Sequence, residues 1–369
     1  MRRSVRPASA NTKRSPISGA VAAWGALHER FGKLPFEQVL APAIELAERG
    51  YGVSPVLQQK WAAAVDELRV QPGFEQAFMP RGRAPEIGER FVFADAGRTL
   101  RRIAATRGRD FYEGETAAGL AAHAKANGGS MTVADLAAYK PDWVTPISKT
   151  YHGYTLHEIP PNGQGIAALM TLGILSNFDL ASMDPDSADA RHLQIEAMKA
   201  AFADVYEHVA DVRHMTGVTP AHLLDDAYLK QRAPRRDRAR NRHRVPAALR
   251  DRAAVAANEV VGVPGGGRDA RRVQPVQALV RMIDWKQNPQ AACDAPRWKV
   301  NRGLSVDVEG AMEADVVAEL KRRGHVLESI ADPYMDFGSG QFIWRLSDDM
   351  EDGYVAASDA RRDGCAAGY

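Results

Sequence analysis

The chain has 369 residues, of which 45% are hydrophobic, and its formal net charge is +2. This length and apolar content suit a folded protein with a large buried core and exclude a chain that is disordered throughout. The sequence has no apolar run of 18 residues, which argues against a membrane-spanning helix, and its two cysteines, Cys293 and Cys365, cannot form a disulfide framework.

Residues 1–15 combine arginine, serine and proline without periodic apolar residues. This composition predicts a disordered basic leader. Because the leader lacks the apolar stretch of a secretory signal, we expect a cytoplasmic protein.

The chain that follows the leader is predicted to be helical. Leu40, Ala43, Ile44 and Ala47 recur at the spacing of one helix face. Further helices are predicted near residues 55–70, 95–107, 115–127 and 133–138.

A strand, a tight loop and a helix are predicted between residues 151 and 174. The β-forming residues of 151–158 alternate and predict one strand that ends at the Pro160-Pro161 turn. The Asn- and Gly-containing segment 162–165 then suits a tight loop that leads into a helix over 166–174.

The next predicted helix carries one apolar stripe, and Asp189 or a neighbour is its plausible N-cap. The residues of the stripe are Ile195, Met198, Phe202, Val205 and Val209.

The composition changes between residues 232 and 273, where 12 of the 42 residues are arginine and 9 are alanine. Only four acidic residues oppose the arginines, so this segment carries a net charge of +8. Because it lacks the large apolar residues that drive packing, we expect a mobile or loosely helical linker.

A helix-rich pattern resumes at residue 274 and continues towards the C-terminus. Residues 316–325 predict a helix that is stopped by Gly324. Residues 341–346 and 354–359 predict strands of a buried sheet.

Several short motifs occur in an order that is typical of one enzyme family. They are FYEGETA (111–117), GGSMTVADLAAY (128–139), HEIPPNGQG (157–165), HLQIEAMKAAFAD (192–204), NPQAACDAPRW (288–298), RRGH (322–325), FGSGQ (337–341) and ASDARRDGCAAGY (357–369). Together they resemble the γ-glutamyltransferase (glutathione hydrolase) family of N-terminal-nucleophile hydrolases over most of 16–231 and 274–369. The resemblance implies a mixed α/β fold of four αββα layers, here incomplete.

The resemblance also implies a domain organisation. It marks 16–231 as a large-subunit-like region, 232–273 as an atypical linker and 274–369 as the C-terminal part of a small-subunit-like region. It implies hydrolysis or transfer of the γ-glutamyl group of glutathione and related small molecules, without a metal or an organic cofactor.

The residue that performs this chemistry in the family is missing. There, a proenzyme cuts itself, and the threonine at the new N-terminus attacks the γ-glutamyl amide with its own α-amine as base. No threonine follows Thr219 in this chain, so we assign no catalytic residue and expect little or no activity. The remaining serines beyond 273 are poorly placed substitutes: Ser305, Ser329, Ser339, Ser347 and Ser358.

Gly265 and Gly266 resemble the paired glycine that helps to form the family's oxyanion hole, where backbone N–H groups stabilise negative charge. The residues after this pair differ from those of the family. We therefore favour a flexible linker and keep an oxyanion role as the alternative.

Two patterns that contain histidine could in principle bind a metal ion. His192 and Glu196 lie four residues apart on one helix face, and without a third ligand nearby they predict a structural pair rather than a metal site. His152 and His157 lie five apart on the predicted strand, so their side chains should point to opposite faces. The sequence therefore predicts no metal.

Three further interpretations remain open. The chain can be a non-catalytic relic that pairs with another family chain, or it can bind nucleic acid through 232–273, although that segment has no interleaved aromatic residues for stacking. Alternatively, 232–273 is GC-rich coding sequence read out of frame, since such sequence yields arginine, alanine, glycine and proline.

Overall fold

The structure, a computed structural model, describes residues 17–234, 274–301, 305–330, 337–346, 351 and 353–367. The predicted leader, the predicted linker from 235 onwards, Gly265 and Gly266 lie outside the described residues. The chain divides into two units after Trp143, and each is described by itself.

The first unit is mainly helical. Its elements are α1 (Ala20–Phe31), α2 (Phe36–Arg49), β1 (Tyr51–Gly52), α3 (Pro55–Leu68), α4 (Phe74–Phe78), β2 (Arg90–Phe91), α5 (Ala94–Thr106), α6 (Arg109–Glu113), α7 (Glu115–Ala126) and α8 (Val133–Ala137). The helices predicted near 40–47, 55–70, 95–107, 115–127 and 133–138 are therefore confirmed as α2, α3, α5, α7 and α8. The N-cap of α8 is Thr132, whose side chain accepts from the Asp135 N–H in a reciprocal capping box.

A small core holds the first unit together. Val21, Phe36, Ile103 and Tyr112 are buried against one another. The Tyr112 hydroxyl donates to the carbonyl oxygen of Ser18 at 2.7 Å, so this buried phenol is satisfied.

The second unit contains most of the strands. Its elements are β3 (Ile147–Tyr151), β4 (Tyr154–Glu158), α9 (Gly165–Leu175), α10 (Ala188–His208), α11 (Pro220–Leu223), α12 (Asp226–Arg232), α13 (Gln274–Ile283), α14 (Pro289–Asp294), β5 (Trp298–Val300), β6 (Val306–Glu309), α15 (Ala314–Arg322), β7 (Leu327–Ile330), β8 (Gln341–Arg345) and β9 (Tyr354–Ser358). Strands β3 and β4 pair antiparallel, as do β8 and β9. In a three-stranded sheet, β6 pairs antiparallel with β5 and parallel with β7.

Helices α9 and α10 form the centre of the second unit. Ten residues of α9 are buried, so this helix has no solvent-facing side and other elements must enclose it. Gly173 permits this close packing, because a Cβ there would lie 2.4 Å from Leu229 Cδ1 on α12. The helix predicted at 166–174 and the helix predicted from the apolar stripe are confirmed as α9 and α10. The N-cap of α10 is Ser187, a neighbour of Asp189, and Asp189 itself lies in the first turn of the helix.

The prediction of a single strand over 151–158 was wrong. The chain turns at His152 and Gly153, which both have positive φ angles, of 46° and 87°. Tyr151 pairs with Tyr154 across this two-residue turn, so the segment is split between β3 and β4 of one hairpin. His152 therefore lies in the turn, whereas His157 lies on β4.

The strands predicted at 341–346 and 354–359 exist as β8 and β9, but the prediction that they are buried was wrong. Ile343 is 79% exposed and Tyr354 is 53% exposed. The described residues pair these two strands only with each other, which leaves much of their apolar surface uncovered.

Helix α15 ends as predicted. Gly324 adopts a φ of +95°, and its N–H donates to the carbonyl oxygen of Lys321 at 2.9 Å. The helices within the described residues include none with both the length and the apolar character that a bilayer span requires.

Replacing Leu172 by alanine should lower the free energy of unfolding by about 2–5 kcal/mol, because Leu172 is 1% exposed in α9 and its truncation leaves a cavity. The matched control is Leu346→Ala, whose side chain is 53% exposed and which should change stability by less than about 0.5 kcal/mol. Urea denaturation followed by tryptophan fluorescence measures both. Equal shifts for the two variants would contradict the position of the core.

Candidate functional site

A buried ion-pair network binds the C-terminal segment to the rest of the second unit. Arg361 donates to Glu309 at 2.6 Å and to Asp359 at 3.1 Å, and Arg297 donates to the other oxygen of Asp359. Both guanidinium groups also donate to the carbonyl oxygen of Cys293, at 2.9 and 3.0 Å. Two positive and two negative side chains thus neutralise one another inside the protein, which leaves this network without excess charge for a substrate.

The same network positions the FGSGQ segment. The Gly340 N–H donates to the Asp359 carboxylate at 2.6 Å, and the Asp359 N–H donates back to the Gly340 carbonyl at 3.1 Å. Burial opposes ionisation of Asp359, but the Arg297 charge and the Gly340 N–H outweigh it and lower the pKa of this carboxyl group. These contacts favour a structural role for the segment.

Cys293 lies beside this network and is a poor nucleophile. Its side chain is fully buried, and the thiol donates to the Gly340 carbonyl oxygen at 3.6 Å. Burial, with a smaller effect from Asp359, raises the pKa of the thiol to about 11. Since the thiolate is the reactive form, Cys293 is unreactive near neutral pH.

The serines considered as substitute nucleophiles do not form a catalytic arrangement. Ser305 precedes β6, Ser329 lies in β7, Ser339 is buried before β8 and Ser358 ends β9. Within the described part of the chain, no hydrogen bond joins any of these four serines to a histidine, and Ser347 lies outside it.

An aspartate, a histidine and a tyrosine meet at the β3–β4 turn. The Tyr151 hydroxyl donates to Asp284 Oδ2 at 2.7 Å, and His152 Nδ1 lies 3.0 Å from Asp284 Oδ1. Burial raises the pKa of Asp284, and burial together with Asp284 raises the pKa of Tyr151. The aspartate can orient the half-exposed histidine as a base, but in the described residues no hydroxyl or thiol group is hydrogen-bonded to His152.

A third cluster of ionisable side chains joins α10 to the residues that follow α15. His192 Nδ1 lies 2.8 Å from His325 Nε2, and Lys199 Nζ lies 2.8 Å from His325 Nδ1. Lys199 also donates to Glu196 Oε1 at 3.2 Å. Burial and the Lys199 charge lower the pKa of His325 to about 3, and burial lowers the pKa of His192, so both imidazoles are neutral at pH 7.

His192 and Glu196 have a third possible ligand nearby, His325, contrary to the prediction from the sequence. One nitrogen from each histidine and one Glu196 oxygen lie within 4.8 Å of one another. His325 is 133 residues from His192 along the chain, so helix periodicity could not reveal it. The one available signal was its place in the RRGH motif.

Comparison of the chain with known protein families identifies the family to which it belongs. The model of the Gamma-glutamyltranspeptidase family matches residues 4–259 and 243–369. The chain belongs to this family. The family resemblance expected from the motifs is thereby confirmed.

Individual relatives include both glutathione hydrolases and acylases. The chain is 27% identical to the glutathione hydrolase-like YwrD proenzyme of Bacillus subtilis, over 95% of this chain and 80% of that protein. It is 37% identical to the glutathione hydrolase proenzyme of Pseudomonas aeruginosa, over 60% of this chain and 39% of that protein. The solved structure of a cephalosporin acylase from Bacillus halodurans is 31% identical and superposes with a TM-score of 0.81, over 98% of this chain and 81% of that one.

These likenesses confirm the mixed α/β fold class of the N-terminal-nucleophile hydrolases. The chain nevertheless spans well under half of the Pseudomonas relative's length. The alignment with the Bacillus subtilis relative is 429 residues long, which exceeds the 369 residues of this chain. It therefore contains gaps where that relative has residues that this family member lacks.

Treatment of the native protein with a thiol reagent at pH 8 should label one cysteine per chain, because Cys365 is exposed and Cys293 is buried with a raised pKa. Cys365→Ser should therefore show no rapid labelling when folded and one labelled thiol after unfolding, both read by intact mass. Rapid labelling of folded Cys365→Ser would show that Cys293 is accessible and reactive.

Replacing Arg361 by glutamine should destabilise the protein by about 3–5 kcal/mol, because it leaves the Glu309 carboxylate buried without its guanidinium partner. Arg322→Gln is the matched control, since the Arg322 side chain is 75% exposed in its pair with Glu319 and its loss should have little effect. Denaturation midpoints at low and high salt compare the two variants. A similar small change in both would contradict the structural role of the buried network.

Proposed function

We propose that this chain is a γ-glutamyltranspeptidase-family protein that lacks turnover in its present form. The carrying observation is the absence of any threonine after Thr219, because the family's chemistry depends on a threonine freed at a new N-terminus. The gaps in the alignment with the Bacillus subtilis relative support the loss of an internal segment. The two segments of the family match overlap at 243–259, within the arginine-rich segment, which favours a break in the family pattern at that place.

The reaction lost would be cleavage of an amide bond in a small molecule. The relatives that are named glutathione hydrolases support a γ-glutamyl amide as the substrate. The relatives that are named acylases support another acyl amide. Both reactions need a nucleophile, a base and an oxyanion hole. In the described residues Cys293 is unreactive, and the serines beyond residue 273 lack a histidine base. The expected cytoplasmic location stays a prediction.

A second candidate role is that of a non-catalytic partner of another family chain. The exposed apolar residues of β8 and β9 favour it, since Ile343 and Tyr354 present an uncovered sheet face. Co-expression with the separately tagged small subunit of a family relative should then give a stable complex. Ile343→Ser should weaken that complex and should leave the fold unchanged.

The purified protein should be one uncut chain of 40.2 kDa by intact mass and should release no chromophore from a γ-glutamyl anilide or an acyl anilide. A threonine-containing family enzyme assayed in parallel provides the positive control. Two fragments with turnover would overturn the proposal, and sequencing of the new N-terminus would identify the nucleophile.

A further inference from the structure

The cluster of His192, Glu196, Lys199 and His325 is built around a position for a cation. Helix α10 places His192, Glu196 and Lys199 at i, i+4 and i+7, which is one face of the helix. His325 completes the cluster from the end of α15, where its backbone N–H donates to the carbonyl oxygen of Leu320 at 3.2 Å. Helix α10 therefore holds three of the side chains, and the short segment after α15 holds the fourth.

Three acceptor atoms surround this position. The Lys199 ammonium only donates, so His325 Nδ1 and the Glu196 carboxylate accept from it, and His325 Nε2 carries the proton that it donates to His192 Nδ1. His192 Nδ1 and His325 Nε2 are 2.8 Å apart, and Glu196 Oε1 is 3.6 Å from His325 Nδ1. Glu196 and His325 are 7% and 6% exposed, respectively, whereas His192 is only partly buried and lies towards the surface. The ammonium group of Lys199 is the cation that Glu196 and His325 hold at present.

We propose that His192, Glu196 and His325 bind a divalent transition-metal ion of the zinc class, and that Lys199 competes with the ion for this position. Two imidazoles and one carboxylate form a ligand set that suits Zn²⁺ and leaves a fourth position for water. This site is separate from the amide-cleaving chemistry proposed above, and its test does not depend on it.

The geometry requires only small side-chain movements. Metal–ligand bonds of about 2.0–2.2 Å place tetrahedral ligand atoms about 3.3–3.6 Å apart. One nitrogen from each histidine and one Glu196 oxygen lie within 4.8 Å of one another, and Glu196 Oε1 lies 3.6 Å from His325 Nδ1. The partly exposed His192 side provides an entry path.

Lys199 determines how tightly the ion binds. Without the ion, Lys199 neutralises Glu196, so a bound divalent ion must displace the ammonium group from Glu196 and His325. Arg323, which pairs with Asp189 at 2.6 Å, adds positive charge near the two histidines. Removal of the Lys199 charge should therefore strengthen metal binding, whereas removal of the Glu196 charge should weaken it.

The experiment titrates full-length protein with Zn²⁺ against a chromophoric chelator and, separately, with Co²⁺ followed by visible absorption. Wild type should bind one equivalent of metal, and Lys199→Met should bind at least about tenfold tighter because a like charge is gone. Glu196→Gln should lower the metal affinity more than substitutions of residues that only support the ligands, which cost roughly 10- to 100-fold, because Glu196 is itself a proposed ligand. His222→Gln, an exposed histidine outside the cluster, is the control and should behave as wild type.

A thermal-unfolding series keeps the test decisive if a variant is unstable. Zn²⁺ should raise the melting temperature of Lys199→Met, in which Glu196 lacks a partner, and should not raise that of a Lys199→Met/Glu196→Gln double variant. Binding that is equal in wild type, Lys199→Met and Glu196→Gln would overturn the proposal. The absence of binding in wild type and in Lys199→Met would overturn it as well.

Discussion

The enclosure of α9 is the constraint on which the second unit depends. This helix is apolar on every side, so it is stable only where other elements remove all of its faces from water. Helix α10 and the β3–β4 hairpin contact it, and α12 and α13 also pack on it. Each large apolar side chain that this enclosure buries contributes about 1.5–3 kcal/mol, and Gly173 allows α12 to approach closely enough for it.

The enclosure of α9 also explains why α10 carries ionisable side chains inside the protein. Helix α10 is buried along most of its length, so its polar residues need partners within the protein. Glu196 and Lys199 find them in each other and in His325, while Arg297 and Arg361 find them in Asp359 and Glu309. Such buried pairs contribute little net stability compared with apolar packing, but the loss of one member is costly. They fix the orientation of α15 and of the C-terminal segment.

Family membership does not by itself establish catalytic capacity in this chain. The fold is that of an N-terminal-nucleophile hydrolase, since it superposes on the Bacillus halodurans acylase over nearly its whole length. Function depends on particular side chains grafted on that fold rather than on the fold itself. This chain keeps the core that α9 and α10 build, and it has no threonine after Thr219.

The sequence by itself determined most of the helices, the family and the absence of any threonine after Thr219. The stripe of Ile195, Met198, Phe202 and Val205 predicted α10 and is buried there, because residues three and four positions apart share one face of a helix. The tertiary structure decided the turn at His152, the exposure of β8 and β9, and the meeting of His192 with His325. Local pattern could not predict these features, because a turn inside an alternating segment depends on strand pairing, and exposure depends on which elements cover a sheet. The two histidines, finally, are separated by 133 residues and meet only because α15 packs on α10.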